Sequence, residues 1–523
     1  MAKVLVTESY LSAIASAIRS KAGTQQTFTP AQMASAIADI STGPSEPYVT
    51  YTMSGNSVVS ASAYNFVGCI PTGTFADQQA KYLSIENVSA ISMVSSFAFR
   101  GARFYSIDLP SLAYVGAQGT TTRADEAFRG CVNLSSINFP LLSMINGDYV
   151  FADCTSLSSV NLPLMTFQYT AAGNTSDYLF QNCPYLTNVN IPLATRLPEG
   201  IFSSCVRLST VTFPSVSLVF SYAFYGCTRL SEISFPELLS LYESAFVQCT
   251  SLASFSASKL TQIGSWAFQG CTNLSEISLP AVTSLARGAF TNCGLISVTL
   301  PNVTEIGTST ASSLTTFYNC SKLVYLNMSK ISRIYTYGLY GLRSLATLIA
   351  PSVTLLGSYA LQSCSALLSL DLPLLSSVSQ QTFTDCTALS RVSFPELQYA
   401  ARSAFYRCGL RSASFPKLES IYDGFANCYS LSQVWLSQCS RISGVAFSKC
   451  YNLISLCLLG SSVCTLVGTS AFTSTPLYNY STSAGRWGSI FVLSSLVAEY
   501  KAANGWKTMS SRIFAYEDYF GMS

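Results

Sequence analysis

The residues of this chain whose side chains could take part in the widest range of chemistry are its 18 cysteines. Fourteen of them recur at one position of a repeat, and the six from Cys183 to Cys293 are each separated by 22 residues. Thiolates can act as nucleophiles, ligate soft metals or form disulfides. Each of these uses needs a second feature nearby, so the residues around the cysteines decide which chemistry is available.

Those surrounding residues argue against catalysis and metal binding. The chain contains no histidine, which excludes Cys–His nucleophiles and Ser–His–Asp triads. Zinc sites need closely spaced C-x-x-C or histidine pairs, and neither occurs. We therefore predict a column of free, buried thiols that pack as small apolar groups, with no metal and no cofactor. Disulfides between neighbouring turns are the alternative, although parallel side-chain directions disfavour them.

The carboxylates and cations suggest no enzyme and no nucleic-acid partner. Only 10% of the residues are charged and the net charge is +3, without the basic cluster that a phosphate backbone requires. Glu232 and Glu276 share a strand position two turns apart, roughly 10 Å, which loosely resembles an inverting glycosidase pair. We expect both carboxylates to be exposed, and no glycine-rich phosphate loop occurs. The chain is therefore predicted not to be an enzyme.

A repeated unit positions the cysteines. It reads A-F-x-x-C-x-x-L-S-x-I-x-F-P, and a period in the low twenties with fixed Leu, Ile and Phe is typical of a leucine-rich-repeat solenoid. In one copy, alternation predicts a strand in which Leu230, Ile233 and Phe235 face inward while Glu232 and Ser234 face outward. The proline after each strand should end the sheet pairing. The Ala-Phe pair should supply a small residue and a ring to the core.

The predicted fold class is a repeat solenoid of the leucine-rich-repeat type, mainly β with short turns, a small α-helical N-terminal segment and an α/β C-terminal cap. The predicted domains are a helical attachment or oligomerisation segment (1–42), a β-rich N-terminal cap (43–97), a solenoid of about 15 turns (98–456) and a C-terminal cap (457–523). A hairpin is expected around Ser54. Two long cysteine spacings predict loops within Phe167–Asp177 and Gly307–Leu314.

The C-terminal cap has its own pattern. We predict a strand over Ile490–Leu493, a helix capped by Ser494, a helix end at Asn504-Gly505 and a return of Trp506 onto the core.

Residues 1–42 contain two predicted amphipathic helices. Two helices this short cannot bury both apolar stripes by themselves, so the stripes should contact the solenoid end, sister chains or another protein. A simple local hairpin is the alternative. The attachment candidates are Leu11, Ile14, Ile18, Met33, Ile37 and Ile40. No signal-peptide pattern and no membrane-spanning stretch are found, so we expect folding in a reducing cytoplasm.

The outward strand positions form the candidate working surface. Small Ser, Thr and Asn side chains dominate about the first ten turns, after which larger side chains enter. Exposed aromatic residues beside arginine are typical of binding hot spots, whereas Ser and Thr can also serve only to keep a sheet soluble. Amides and aromatics would suit a glycan. The candidate binding residues are Tyr325, Asn327, Thr347, Ile349, Asp371, Arg391, Gln433 and Trp435.

The repeat from about Ala98 to Cys450 resembles the BspA-like leucine-rich repeats of bacterial surface proteins and of copies in gut bacteria and their phages. The tail SLVAEYKAANGWKTMSSRIFAY resembles the ending of such arrays. The segment YLSAIASAIRSKAGTQQTFTPAQMASAIADI resembles the helical start of phage tail and virion proteins. BspA-like adhesins usually carry a signal peptide and a wall-attachment tail, whereas a virion protein is released by lysis and needs neither.

These resemblances imply three hypotheses. The first is a tail-associated phage virion protein, made in the host cytoplasm, whose N-terminal segment contacts other virion proteins and whose solenoid binds a host-surface protein or glycan. The second is a secreted or cell-surface bacterial adhesin. The third is a purely structural virion decoration protein. Self-association into a homo-oligomer is compatible with each.

Overall fold

The computed structural model describes residues 47–54, 57–85, 88–116, 123–167, 176–307, 315–468, 470–478 and 487–521. The predicted helices of residues 1–42 lie outside these ranges, as do residues 168–175 and 308–314, the middle of the two predicted loops. Contacts divide the chain into two compact units, one up to Leu193 and one from Ala194. This division falls inside the repeat array predicted over 98–456.

The fold is a β-solenoid of about nineteen turns, mostly strand with few short helices, which confirms the predicted fold class. More turns form than the 15 expected from the cysteine spacing, because strands on either side of the array keep their parallel pairing after the cysteine position is lost. Within the described ranges, no helix combines the length and hydrophobicity needed to cross a bilayer.

The first unit opens with the predicted hairpin, in which Tyr48–Ser54 pairs antiparallel with Ser57–Tyr64. Its later strands pair in parallel across successive turns. These are Gly68–Ile70, Tyr82–Ile85, Ile91–Val94, Tyr114–Val115, Ser136–Asn138, Met144–Ile145, Ser159–Asn161 and Asn188–Asn190, with a 3₁₀ turn at Val88–Ala90.

The second unit carries two series of parallel strands, one strand of each series in most turns. The series that contains the predicted working surface is Glu232–Ser234, Ser254–Ser256, Glu276–Ser278, Ser297–Thr299, Tyr325–Asn327, Thr347–Ile349, Ser369–Asp371, Arg391–Ser393, Ser412–Phe415, Gln433–Leu436, Ser455–Leu458, Ser489–Val492 and Ile513–Ala515. The other series is Arg196–Leu197, Leu218–Val219, Ser240–Leu241, Gln262–Ile263, Ser284–Leu285, Glu305–Ile306, Arg333–Ile334, Leu355–Leu356, Ser377–Val378, Tyr399–Ala400, Ser420–Tyr422, Arg441–Ser443 and Thr465–Val467.

Strand alternation places the core as the sequence predicts. Leu230, Ile233 and Phe235 are buried, whereas Glu232 and Ser234 are exposed. This strand ends before the proline that follows Phe235, as expected from the missing N–H. The alternation therefore identifies correctly which side chains of this repeat face solvent.

The cysteines form the predicted column of free thiols. None of the 18 cysteines is in a disulfide, and 17 of them are buried. The structure adds a hydrogen bond: the Cys249 thiol donates to the carbonyl oxygen of Phe224 in the preceding turn at 3.1 Å. The same contact, at 2.9–3.3 Å, recurs at most cysteines of the second unit. Each thiol thus packs as an apolar group while giving a buried carbonyl a second partner.

Phenylalanines stack beside this cysteine column. Phe246 is fully buried between Phe224 and Phe268, with ring centroids 5.0 and 5.5 Å away and nearly parallel planes. The edges of Phe235 and Phe255 meet the same ring. Because the turns are in register, the ring that one repeat contributes is packed mainly by the equivalent rings of its neighbours.

The Ala-Phe turn forms a third hydrogen-bonded ladder that the sequence does not predict. The backbone N–H groups of Tyr222, Phe224 and Gly226 donate to carbonyls of the next turn at 2.8–3.1 Å. Residues at both ends of this turn are left-handed, with φ of 58° at Tyr222 and 71° at Gly226. A left-handed tyrosine costs about 1–2 kcal/mol, and the ladder of hydrogen bonds between turns offsets that cost.

The C-terminal cap follows the prediction with one correction. A strand forms at Ser489–Val492, and short helical segments follow at Ser494–Leu496, Val497–Ala502, Lys507–Arg512 and Tyr516–Phe520, after a 3₁₀ turn at Ser470–Phe472. The prediction that Ser494 caps the helix is wrong, because the cap position is Leu493 and no side chain caps it. Instead, the Ser494 backbone N–H donates to the Glu517 carboxylate, so a charged acceptor supplied from later in the chain replaces the serine hydroxyl.

Trp506 closes the last turn, as predicted. It is fully buried, and its indole N–H donates to the Cys464 carbonyl at 2.6 Å. The backbone N–H of Cys464 in turn donates to the Tyr500 hydroxyl at 2.8 Å. The ring also lies against Phe472, the last member of the phenylalanine stack, with centroids 5.8 Å apart. The tryptophan thereby covers the end of the core.

We expect Trp506→Ala to lower the free energy of unfolding by about 3–5 kcal/mol, because it opens a cavity and leaves the Cys464 carbonyl without its indole donor. Urea denaturation followed by circular dichroism measures this. The matched control is Trp487→Ala, since that tryptophan is 57% exposed. Equal losses in the two variants would show that Trp506 does not stabilise the end of the solenoid.

Candidate functional site

The strand face of the second unit is the surface made by the outward residues of the strands from Tyr325–Asn327 to Gln433–Leu436. Parallel pairing without a register shift puts equivalent residues of neighbouring turns side by side. The first column is Tyr325, Thr347, Ser369, Arg391, Ser412 and Gln433, and the second is Asn327, Ile349, Asp371, Ser393, Ser414 and Trp435.

All eight predicted binding residues lie on this strand face, but they do not converge on one pocket. Four are exposed and four are half-buried. Tyr325 and Trp435 lie five turns apart, about 24 Å at the usual strand spacing. Hydrogen-bonded pairing is also interrupted after Thr347–Ile349 and after Arg391–Ser393. The residues thus form an elongated patch that suits a long or flat partner better than a small molecule.

Charged and aromatic groups on the patch are available to a partner. Within the described ranges, Arg391 and Asp371 take part in no ion pair. Trp435 is flanked by the small side chains of Ser414 and Cys457 on the neighbouring strands. Trp435 is half-buried, so part of its ring is accessible to a partner, and tryptophan is a frequent anchor residue of interfaces.

On the strand side of the first unit, the asparagine side chains of neighbouring turns form hydrogen bonds with one another. The Asn161 side-chain N–H donates to the Asn138 side-chain oxygen at 2.8 Å, and the Asn190 amide donates to that of Asn161 at 2.7 Å. Such an amide ladder uses its hydrogen-bonding capacity within the sheet. This favours the interpretation that the small polar residues of these turns serve the sheet.

Glu232 and Glu276 are both exposed, as expected, on strands two turns apart. Glu232 lies beside Ser254 of the intervening turn. Within the described ranges, no group of three or more His, Cys, Asp or Glu residues is arranged to hold a metal ion.

A groove that the strand pattern does not reveal lies on the turn side of the second unit. It has a volume of about 330 Å³ and is lined by Tyr318, Asn319, Ser321, Tyr340, Gly341, Arg343 and Ser363. Tyr318 and Tyr340 occupy the same position of adjacent turns and are 43% and 41% exposed. We call this the tyrosine groove.

Neighbouring rings hold one wall of the tyrosine groove in place. Tyr337 and Tyr359 stack with centroids 4.9 Å apart and planes at 9°. Tyr340 meets the Tyr337 ring edge-on at 5.5 Å and 88°. Both stacked tyrosines are left-handed, with φ of 59° and 61°, in the turn ladder described above. The wall is therefore built by aromatic residues at a backbone position that usually favours glycine or asparagine.

A second groove lies along the other strand series, with a volume of about 480 Å³. Tyr399, Tyr422 and Arg441 line it, and Arg402 lies over the Tyr422 ring while pairing with Asp423 at 3.2 Å. Here part of the positive charge is already compensated inside the protein, in contrast to the tyrosine groove.

The sequence carries a signal for the tyrosine groove that strand alternation leaves out. Residues 306–370 contain four cations, six tyrosines and no carboxylate. The net charge of the chain is +3 and that of this segment is +4, so the remainder carries −1. A window of charge and aromatic content would have found this region, although not its concave shape.

Comparison with solved structures finds several leucine-rich-repeat proteins to which this chain is similar. A leucine-rich-repeat protein from Bacteroides ovatus is 23% identical over 75% of this chain and 93% of its own, with a TM-score of 0.42. A leucine-rich cell surface protein from Faecalibacterium prausnitzii is 18% identical over 74% of this chain and 95% of its own, with a TM-score of 0.29. The functional domain of InlJ from Listeria monocytogenes, which includes a cysteine ladder, is 11% identical over 74% and 79%, with a TM-score of 0.23.

No protein of curated function matches this chain. A family model does: the BspA type leucine-rich-repeat region (6 copies) matches residues 68–205, 195–315, 312–424 and 401–485. These ranges cover most of the described solenoid and contain every residue of the strand face and of the tyrosine groove. The chain therefore belongs to the BspA-type leucine-rich-repeat family.

Proposed function

We propose that this chain is a non-enzymatic binding protein that acts as an adhesin at a bacterial surface or in the extracellular space. The observation that carries the proposal is the elongated strand face, where Tyr325, Arg391 and Trp435 lie among smaller side chains, most of which are Ser, Thr or Asn. Aromatic and arginine side chains contribute most of the energy of protein interfaces. The partner would be a protein or glycan large enough to span several turns.

The family match supports a binding scaffold, and repeat scaffolds present extended surfaces to their partners. One similar protein, that of Faecalibacterium prausnitzii, is described as a cell surface protein. The virion interpretation depended on residues 1–42, which lie outside the described residues, and the comparisons give it no support. It remains the alternative that an experiment must separate from the adhesin, together with the role of a purely structural component.

Antibodies raised against the full chain test the location. We expect labelling of intact bacterial cells or of their culture medium when the gene is expressed from its own promoter. Labelling confined to purified phage particles would overturn the adhesin proposal. A second readout is binding of the fluorescently labelled full chain to bacterial and epithelial cells. No saturable binding to either surface would leave only a structural role.

A further inference from the structure

The tyrosine groove has the chemistry of a small-ligand site. Its volume of about 330 Å³ lies at the lower end of the range of such sites, about 300–1,000 Å³. The lining offers two tyrosine rings, one amide, two serine hydroxyls and a guanidinium. It contains one glycine and no Ala, Val, Leu, Ile or Met side chain. A ligand that fits must therefore combine a flat apolar face with many hydroxyl groups.

The charge around the groove selects for an anion. Arg343 is exposed and takes part in no ion pair within the described ranges. Lys322, also exposed, follows the groove residue Ser321 in the chain. Of the carboxylates near the segment 306–370, Glu305 accepts a hydrogen bond from Tyr335 at 3.2 Å. Asp385, in the turn that follows the lining residue Ser363, is paired with Arg407 at 3.2 Å. A cationic concave surface of this kind attracts and concentrates anions.

Contacts within the protein hold the groove in shape. Tyr340 is fixed against the Tyr337–Tyr359 stack, and the Asn319 amide donates to the Asn292 side chain at 2.8 Å. The Arg343 carbonyl accepts hydrogen bonds from Ser365 and Ala366 of the next turn at 3.2 and 3.1 Å, which anchors the backbone below the guanidinium. A preorganised site loses less conformational entropy when it binds.

We propose that the tyrosine groove binds an acidic carbohydrate. One sugar ring lies against Tyr318 and Tyr340, its hydroxyls bond to the amide and serines, and its anionic group binds the Arg343 guanidinium. The anion is a carboxylate of a uronic acid or a sulfate ester, since both present paired oxygens to the guanidinium. This inference rests on the proposed binding function but concerns a surface separate from the strand face. An acidic peptide fits less well, because the lining offers nothing for aliphatic side chains.

Isothermal titration calorimetry with the full chain tests the proposal. The probes are a hyaluronan tetrasaccharide (carboxylate), a keratan sulfate tetrasaccharide (sulfate), chitotetraose (neutral) and a poly-glutamate peptide. We expect one of the two acidic sugars to bind with a Kd below about 1 mM and to bind more tightly than chitotetraose and the peptide. Raising the salt concentration from about 0.1 to about 1 M should weaken the binding of the acidic sugar, because screening shortens the Debye length from about 10 to about 3 Å.

Variants locate the site. Arg343→Gln should raise the Kd of the acidic sugar by about 10-fold and leave the Kd of the neutral sugar unchanged, since a charge-assisted hydrogen bond is lost. Tyr340→Ala should weaken the binding of both sugars, because both would lie against this ring. The matched controls are Arg411→Gln and Tyr451→Ala, exposed residues outside the groove, and thermal melting by circular dichroism verifies that each variant is folded.

The proposal is overturned if neither acidic sugar binds below about 1 mM, if Arg343→Gln binds like the wild type, or if poly-glutamate binds more tightly than both sugars. These outcomes are independent of the adhesin proposal. Cell binding that depends on Trp435, in a chain whose sugar binding does not depend on Arg343, would support the adhesin proposal and contradict the carbohydrate proposal. Sugar binding that depends on Arg343, in a chain that binds no cell, would support the carbohydrate proposal and contradict the adhesin proposal.

Discussion

The free energy of unfolding is expected to fall steeply as the pH rises above about 9, because the folded chain holds its thiols in the protonated form. Burial raises the pKa of the Cys320 and Cys428 thiols to about 12. Burial also raises the pKa of Cys227, Cys249 and Cys271 above the ordinary thiol value.

The sign follows from which state binds more protons. Between the unfolded pKa, about 8.5, and the raised folded pKa, the unfolded chain loses thiol protons that the folded chain keeps. The stabilising contribution is therefore complete below about pH 8.5 and is lost as the pH rises to about 12. Each thiol contributes a slope of about 1.4 kcal/mol per pH unit, so the five thiols named above give about 7. Domains are stable by about 5–15 kcal/mol, so we expect unfolding near about pH 10.

Urea denaturation at a series of pH values measures this slope. Replacing buried Cys249 and Cys271 by alanine should lower the slope, because it removes two of the thiols whose pKa burial raises. The control is Cys69→Ala, because Cys69 is the one cysteine that is not fully buried. A stability that stays constant up to pH 11 would contradict the buried column of protonated thiols.

Replacing Phe246 by alanine is expected to lower the free energy of unfolding by about 3–5 kcal/mol. The ring is fully buried and stacks on both neighbouring turns, so its removal breaks the phenylalanine stack in the middle of the second unit. Because each turn is stabilised mainly by its neighbours, the defect should also reduce cooperativity and lower the dependence of unfolding on urea.

The control for Phe246 is Tyr225→Ala, a ring of the adjacent turn that is 39% exposed. We expect its loss of stability to be below about 1 kcal/mol, as is usual for surface positions. Urea unfolding of both variants, followed by circular dichroism, makes the comparison. If Phe246→Ala unfolds at the same urea concentration as Tyr225→Ala, the stack does not contribute to stability as described.

Sequence periodicity predicts the inward and outward faces of this fold because a solenoid repeats one local structure. Once the cysteines set the register, Leu230, Ile233 and Phe235 can be placed in the core from alternation alone. The same register places Tyr325 and Arg391 on the strand face. The cap lies beyond this register and was predicted from its own turn and helix signals, and there Gly505 has the expected positive φ and Trp506 is buried.

The turn ladder and the tyrosine groove could not be predicted in this way. Left-handed positions are usually recognised by Gly or Asn, but here Tyr222, Trp266 and Tyr337 occupy them, with hydrogen bonds to the next turn in compensation. The groove depends on how side chains of three successive turns lie against each other, which a one-dimensional pattern does not encode. Ser494 failed as a cap for a similar reason, because Glu517 reaches its backbone from later in the chain.

The central claim is that the strand face binds the partner. The direct test is the binding isotherm of labelled full chain on the cells it adheres to, for the wild type and for the triple variant Tyr325→Ala, Arg391→Ala, Trp435→Ala. The matched control carries Ser234→Ala, Ser256→Ala and Ser278→Ala, exposed residues at the equivalent strand position of earlier turns, outside the strand face. We predict that the first triple variant weakens binding by at least about 100-fold while the control binds like the wild type. Equal binding by the wild type and the first triple variant would contradict the claim.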